Sequence, residues 1–226
     1  MTLRGQVIRR FGTGLLVVAI ILFALAGSLR FWQGWCFLAL AWGTPFSFAL
    51  YMAKRDPRLL ERRLRVKENN PMQMLFKVLA SVILFSAIAL SGLDFRLGWT
   101  RAWLGPVPVW VALLGQTAVL AAMCLIMWVM KVNSFAARTI VVEEGQKVIS
   151  SGPYAVVRHP MYAGIVVFVL ATPLALGSYV VLPMFVLIVP VLAFRLLDEE
   201  KVLSQDLPGY VEYCRHTRFR LVPGVW

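Results

Sequence analysis

The chain has only two histidines, His159 and His216, and three scattered cysteines, Cys36, Cys124 and Cys214, in 226 residues. These few residues form no metal-ligand spacing, so neither a zinc site nor a disulfide framework is expected. Acidic residues are also scarce, 11 against 23 lysines and arginines. There is no GxGxxG after a strand pattern, no GxxxxGKS/T and no HExxH, which excludes the Rossmann fingerprint, the P-loop and the zincin helix. No internal repeat or low-complexity tract appears, and the one strand signal, residues 139–142, is too short for a sheet of any size.

Hydrophobic residues fill what these absences leave. They make up 60% of the chain against 15% charged, far from the average of a soluble domain, and they predict an all-α integral membrane protein. A net charge of +12 would point to nucleic acid in a soluble protein. Here the basic residues sit in short loops between apolar runs, so the expected partner is the lipid bilayer with its anionic headgroups, and no nucleic acid. Residues 11–29, 31–52, 72–93 and 106–130 are each near the ~20 residues that cross hydrocarbon. Arg4, Arg9 and Arg10 precede the first run, which has no small-residue cleavage site and is read as a retained span. Residues 53–71 are strongly basic and predict a cytoplasmic loop; residues 94–105 predict a short loop carrying an aromatic belt at Trp99 and Trp103. Residues 161–194 exceed one span and are punctuated by Pro173, Gly177, Pro183 and Pro190, which predicts two shorter helices joined near Gly177-Ser178. The expectation is about six crossings, the last two a short hairpin, with both termini and a cofactor pocket on the cytoplasmic side. Residues 1–130 form a four-helix membrane region and residues 131–226 the part that carries chemistry.

That chemistry concentrates at residues 151–164, SGPYAVVRHPMYAG. Gly152-Pro153 marks a turn, and Pro160 suits the first position of a helix. A helix start at a membrane surface offers N–H groups to an anion; the plainer reading is an anchor, with Arg158 snorkelling and Tyr162 at headgroup level. A second polar cluster follows the next apolar stretch: Arg195, Asp198, Glu199 and Glu200, then Pro208-Gly209-Tyr210 and Tyr213. Asn133 is expected to cap or turn the chain, and residues 201–226 to lie over the cytoplasmic face as a lid.

The pattern GPYxxxRHPxYxG, a hydrophobic hairpin and RxxxEExxL resembles the isoprenylcysteine carboxyl methyltransferase family. That family belongs to a wider group of integral-membrane methyltransferases that includes the phospholipid methyltransferases. The resemblance runs from near Asn133 to Pro223. It implies S-adenosyl-L-methionine as cofactor, bound between helices and the loops at their ends. Tyr154, His159, Pro160, Met161 and Tyr162 fall on the motif that lines the family's cofactor site. Gln146, Lys147, Val148 and Ile149 match its backbone-contacting stretch, with Gln146 where the family often has histidine. Glu199 matches the carboxylate that contacts the cofactor, and Arg195 the residue assigned to the substrate carboxylate. Arg195, Glu199 and Glu200 are the candidate catalytic residues. A carboxylate acceptor needs no general base; a thiol or amine acceptor needs one, and Glu200 or His159 would serve. The implied reaction is O-methylation of an isoprenylcysteine-type carboxylate on a lipophilic, prenylated small molecule or peptide, without a metal. Methylation of a phospholipid amine or small thiol, and a non-catalytic membrane scaffold, are the alternatives.

Overall fold

The computed structural model describes residues 2–57, 60–61, 71–133, 135 and 145–226. Among them every regular element is helical. Helix α1, Leu3–Ala26, starts where the Thr2 hydroxyl accepts the Gly5 N–H at 3.2 Å and stops at Gly27, whose φ of 63° only glycine adopts without strain. Helix α2, Trp32–Arg55, passes through a π-helical turn at Ala39–Gly43. Helix α3, Pro71–Leu97, and helix α5, Val109–Val132, complete a set of four helices long and apolar enough to cross a membrane. At 24 to 27 residues each reaches about 36–40 Å, against a hydrocarbon core of ~30 Å.

Residues 94–105 are not the loop expected from the sequence. Helix α3 continues to Leu97, and a short helix α4, Trp99–Leu104, follows Gly98, which has φ 72°. The reason is Asp94, only 3% exposed. Its carboxylate accepts the Thr100 N–H at 2.7 Å and the hydroxyls of Thr100 and Ser178 at 2.5 Å each. The Thr100 hydroxyl oxygen in turn accepts the Tyr179 N–H at 3.1 Å. A buried carboxylate satisfied by three donors locks the α3–α4 corner to the turn after helix α6.

Helix α6, Pro160–Ala175, ends at that turn, where Gly177 has φ 71°. Two further helices, α7, Leu182–Val186, and α8, Ile188–Asp206, return the chain. The hairpin joint therefore falls at Gly177-Ser178, as the pattern of breakers predicts. Helix α6 has 16 residues, about 24 Å, short of the hydrocarbon thickness. Among the described residues four helices are long and apolar enough to cross a membrane. Helix α8 runs well past the apolar stretch and carries Arg195, Glu199 and Glu200 on one continuous rod. Helix α9, Tyr210–His216, follows the left-handed Gly209 at φ 84°.

Helices α5 and α6 pack antiparallel at backbone distance. A Cβ on Gly115 would lie 2.4 Å from the Ala175 nitrogen, and one on Gly164 2.8 Å from Ile126 Cγ1. Gln116, beside Gly115, donates to the Ala175 and Gln33 carbonyls at 2.9 and 3.0 Å. Helices α1 and α3 meet the same way, since a Cβ on Gly92 would lie 2.6 Å from the Leu22 carbonyl oxygen. In lipid, burial of apolar side chains drives helix association little, so small residues that admit close backbone contact take over. On α3 Met74, Leu75, Val78, Leu79, Val82 and Phe85 are exposed, an apolar surface suited to lipid. Gly115→Val should force α5 from α6 and destabilise the protein by about 1–3 kcal/mol, the usual cost of overpacking, read as a lower thermal unfolding midpoint in detergent. Gly12→Ala, where a Cβ meets nothing within 4 Å, should leave that midpoint unchanged or raise it.

Candidate functional site

A cavity of about 580 Å³ opens where α3, α6, α8, α9 and the segment from Gln146 converge. Its size lies within the ~300–1,000 Å³ of small-molecule sites. The approach to it is a 3₁₀ turn, Gly152–Ala155, that begins at Gly152 with φ 60°. This turn puts Tyr154 against the end of α5: Asn133 Nδ2 donates to the Tyr154 hydroxyl at 2.9 Å, and the Tyr213 hydroxyl donates to the Tyr154 carbonyl at 2.7 Å. Asn133 also closes a local turn, its Oδ1 accepting the Phe135 N–H at 3.0 Å, so it both turns the chain and orients a cavity tyrosine.

Helix α6 starts at Pro160 with His159 at its N-cap, and the imidazole makes no capping bond. It turns instead toward Glu200, with Nε2 3.1 Å from Oε1. One helical turn further, Tyr162 stands between the two other motif residues of α8. Its hydroxyl donates to Glu199 Oε2 at 2.7 Å and accepts from Arg195 Nε at 3.1 Å. The i,i+4 spacing of Arg195 and Glu199 is therefore bridged by a phenol from the neighbouring helix rather than left as a surface pair.

Glu200 is the centre of a second arrangement. Arg158 Nη1 reaches its Oε1 at 2.9 Å and Arg220 Nε reaches its Oε2 at 2.8 Å. Burial pushes the Glu200 carboxyl up, but hydrogen bonds from His159 and Arg220 and the charges of His159 and Arg158 outweigh it, holding the group below the usual carboxylate range. Residues 218–220 close over this cluster. The Arg158 and His159 N–H groups donate to the Phe219 and Arg220 carbonyls at 2.8 and 2.9 Å, and Arg158 Nη2 to the Arg218 carbonyl at 3.2 Å. Burial raises the phenols of Tyr210 and Tyr213 far above neutral pH, so both face the cavity as neutral hydroxyls.

The residues singled out from the sequence come together closely. Gln146, Lys147, Val148, Ile149, Tyr154, His159, Pro160, Met161, Tyr162, Arg195 and Glu199 all line the one cavity. Glu200, the candidate base for a thiol or amine acceptor, is not among them; both its oxygens face cationic or imidazole partners. Arg158, read as a snorkelling anchor, is 11% exposed at its side chain and lines the cavity. Tyr210 and Tyr213 also line it; their place in the second polar cluster was the available signal. Phe76, Lys77, Ala80 and Ser81 of α3 form a wall that no sequence motif marks. The strand signal at residues 139–142 and most of the basic segment 53–71 lie outside the described residues. Among the described residues, no group of three His, Cys, Asp or Glu could hold a metal.

Residues 111–205 match the Isoprenylcysteine carboxyl methyltransferase (ICMT) family, which bears out the resemblance carried by the two motifs. The matched segment is that of a membrane methyltransferase family. It begins earlier than the motifs indicate, inside α5, and stops before α9 and the tail. The chain is also 33% identical over 95 residues to Delta(14)-sterol reductase TM7SF2 of Mus musculus, a similarity that takes in 39% of this chain and 22% of that protein. The chain thus spans about a fifth of that relative's length.

A group whose folded-state pKa is lowered stabilises the fold above its ordinary pKa and ceases to do so as pH falls through the lowered value. The ion pairs of Glu200 should therefore be intact at neutral pH and lost on acidification below the normal glutamate pKa of about 4.3. Thermal unfolding in detergent across pH 7 to 3 should show a midpoint that falls steeply at the acidic end. In Glu200→Gln the neutral-pH midpoint should be lower and the acid slope shallower.

Proposed function

We propose that the chain is an S-adenosyl-L-methionine-dependent methyltransferase acting in a membrane on a lipophilic acceptor, foremost the carboxylate of an isoprenylcysteine-type group. The observation that carries this reading is a cavity lined at once by both motifs and by residues 146–149, all of which fall in the segment that matches the methyltransferase family. The residues fit such a cofactor. Tyr154, Tyr210 and Tyr213 offer aromatic faces for an adenine. Glu199 suits an ammonium or ribose hydroxyls, and the N-terminus of α6 with its neighbouring cations suits a carboxylate. When bound, the cofactor would supply an electrophilic methyl group on a sulfonium.

The protein's part is alignment and exclusion of water. Arg195, fixed by Tyr162, would orient an acceptor carboxylate by charge-assisted hydrogen bonds. Phe76, Ala80, Ile165, Val191 and Leu192 form an apolar stretch of wall suited to the acceptor's hydrocarbon. Attack by a carboxylate on a sulfonium methyl neutralises charge, so a dry cavity favours it and no general base is required. With both oxygens of Glu200 engaged, a carboxylate acceptor is the economical reading over an amine or thiol. In this reading residues 131–226 carry the catalytic chemistry beside the membrane region 1–130, with the pocket and both termini cytoplasmic.

The local similarity to a sterol reductase favours one other reading, a reductase binding a reduced nicotinamide dinucleotide in the same cavity. Calorimetry on the detergent-purified protein separates the two. Saturable binding of S-adenosylhomocysteine, weakened at least tenfold in His159→Ala and in Glu199→Ala, is the expected result. Binding of the nicotinamide dinucleotide with none of S-adenosylhomocysteine would overturn the methyltransferase reading; binding of neither by well-folded protein would favour a scaffold.

A further inference from the structure

Among the described residues that line the cavity, four are lysine or arginine, Lys77, Lys147, Arg158 and Arg195, and one is a carboxylate, Glu199. Glu200 offsets Arg158, and Lys147 is exposed. The positive surplus therefore rests with Lys77 and Arg195, both partly buried. A surplus of one sign in a low-dielectric wall attracts the opposite charge and repels its own. Arg195 belongs to the motif on α8. Lys77 stands on α3, which ends before the segment that matches the family begins.

The plainer use of a lysine near a helix start is to snorkel toward headgroups from the lipid face. Lys77 does not stand on that face. Met74, Leu75, Val78 and Leu79 are exposed, whereas Gln73, one turn before Lys77, is fully buried, and Phe76, Lys77, Ala80 and Ser81 line the cavity. Two contacts set the register of α3 against the returning chain. Gln73 Nε2 donates to Asp198 Oδ2 near the start of α3, and Ser178 Oγ donates to Asp94 Oδ2 near its end. As α3 advances from 73 to 94 its partners fall back from 198 to 178, so α8 runs antiparallel to it. From the Gln73–Asp198 contact, Lys77 lies about 6 Å further along α3, and Arg195 about 4.5 Å back along α8. The two cations thus stand at nearly one depth on facing helices. Ala80, Val191 and Leu192, also on the cavity, lie deeper.

We infer that Lys77 determines acceptor specificity, forming with Arg195 a clamp across two helices for the anionic headgroup of an amphiphile whose hydrocarbon runs deeper. The inference rests on the methyltransferase reading above and adds to it the residue that sorts acceptors. A carboxylate there meets a cation on either side, an ammonium meets two like charges, and a neutral amide gains nothing from either. Lys77 serves selection rather than rate. The acceptor carboxylate becomes a neutral ester as its oxygen bonds the methyl carbon and the methyl–sulfur electron pair stays on sulfur. A cation beside it therefore favours the ground state at least as much as the transition state.

The test binds N-acetyl-S-farnesylcysteine and its primary carboxamide, by calorimetry, to the detergent-purified protein saturated with S-adenosylhomocysteine. The wild type should prefer the carboxylate by about tenfold or more. Lys77→Met, which keeps an unbranched apolar stem, should cut that preference about fivefold or more, with the carboxamide and S-adenosylhomocysteine bound as in wild type. Lys77→Arg should keep most of the preference. In methyl transfer to N-acetyl-S-farnesylcysteine, Lys77→Met should raise KM without lowering kcat. Full preference in Lys77→Met, equal weakening of both farnesyl ligands, or a lower kcat at unchanged KM overturns the proposal, as does a wild type without preference. A wild type that binds S-adenosylhomocysteine but neither farnesyl ligand removes the isoprenylcysteine-type acceptor and the proposal with it. One that does not bind S-adenosylhomocysteine counts against the cofactor reading itself.

Discussion

The ion cluster at Glu200 constrains the geometry of everything around it. Removing one partner from a buried pair leaves an uncompensated charge, which costs about 3–5 kcal/mol, so α8, the turn before α6 and the tail must be held in register together. Four separate parts of the chain supply its members: residues 158 and 159, Glu200, Tyr210 and residues 218–220. No two of these parts belong to the same helix. The cluster thus acts as the keystone on the wall of the cavity, and the motif residues on α6 take their orientation from it. His159 illustrates the point, for it occupies an N-cap position yet spends its imidazole on Glu200 instead of its own helix.

At the other end of α6 a second polar lock has a different chemistry. Asp94 is satisfied by one N–H and two hydroxyls from α4 and the turn at Ser178. Between the two locks α6 is apolar and lies against α5 at glycine distance, which leaves the hairpin little freedom to slide. Precise placement of Tyr162, whose hydroxyl must at once accept from Arg195 and donate to Glu199, depends on that rigidity. A shift of one residue in α6 would turn the phenol by about 100° around the helix and dissolve the bridge.

The fold was legible in the sequence wherever a physical signal is local. Apolar runs of span length gave the four long helices, and Gly177 gave the hairpin joint because a left-handed turn favours glycine. Breakers could not reveal how far α8 continues, since nothing in Arg195 to Asp206 opposes a helix and the run of charge resembles a solvated end. Nor could they reveal α4, which exists because Asp94 finds Thr100 and Ser178; a carboxylate 84 residues from its partner leaves no periodic trace. Residues 161–194 hold enough apolar sequence for two spans, but the chain divides it between α6, the short α7 and the first part of α8, whose second part is charged.

The site was legible through its motifs and opaque elsewhere, and the division has a cause. In the proposed reading a cofactor of fixed structure needs fixed chemistry at fixed spacing, and 146–149, Tyr154 and 159–162, named from such spacing, line one cavity together. In the same reading the wall supplied by α3 would meet the acceptor's hydrocarbon. Phe76, Ala80 and their neighbours need only be apolar and on one face, a demand every membrane helix satisfies for other reasons. Lys77 is the exception on that wall, a cation seven residues into an apolar helix, where membrane segments rarely tolerate charge without a use for it. In the proposed reading Lys77 and Arg195, both on the cavity, would favour an acceptor that carries an anionic group on hydrocarbon.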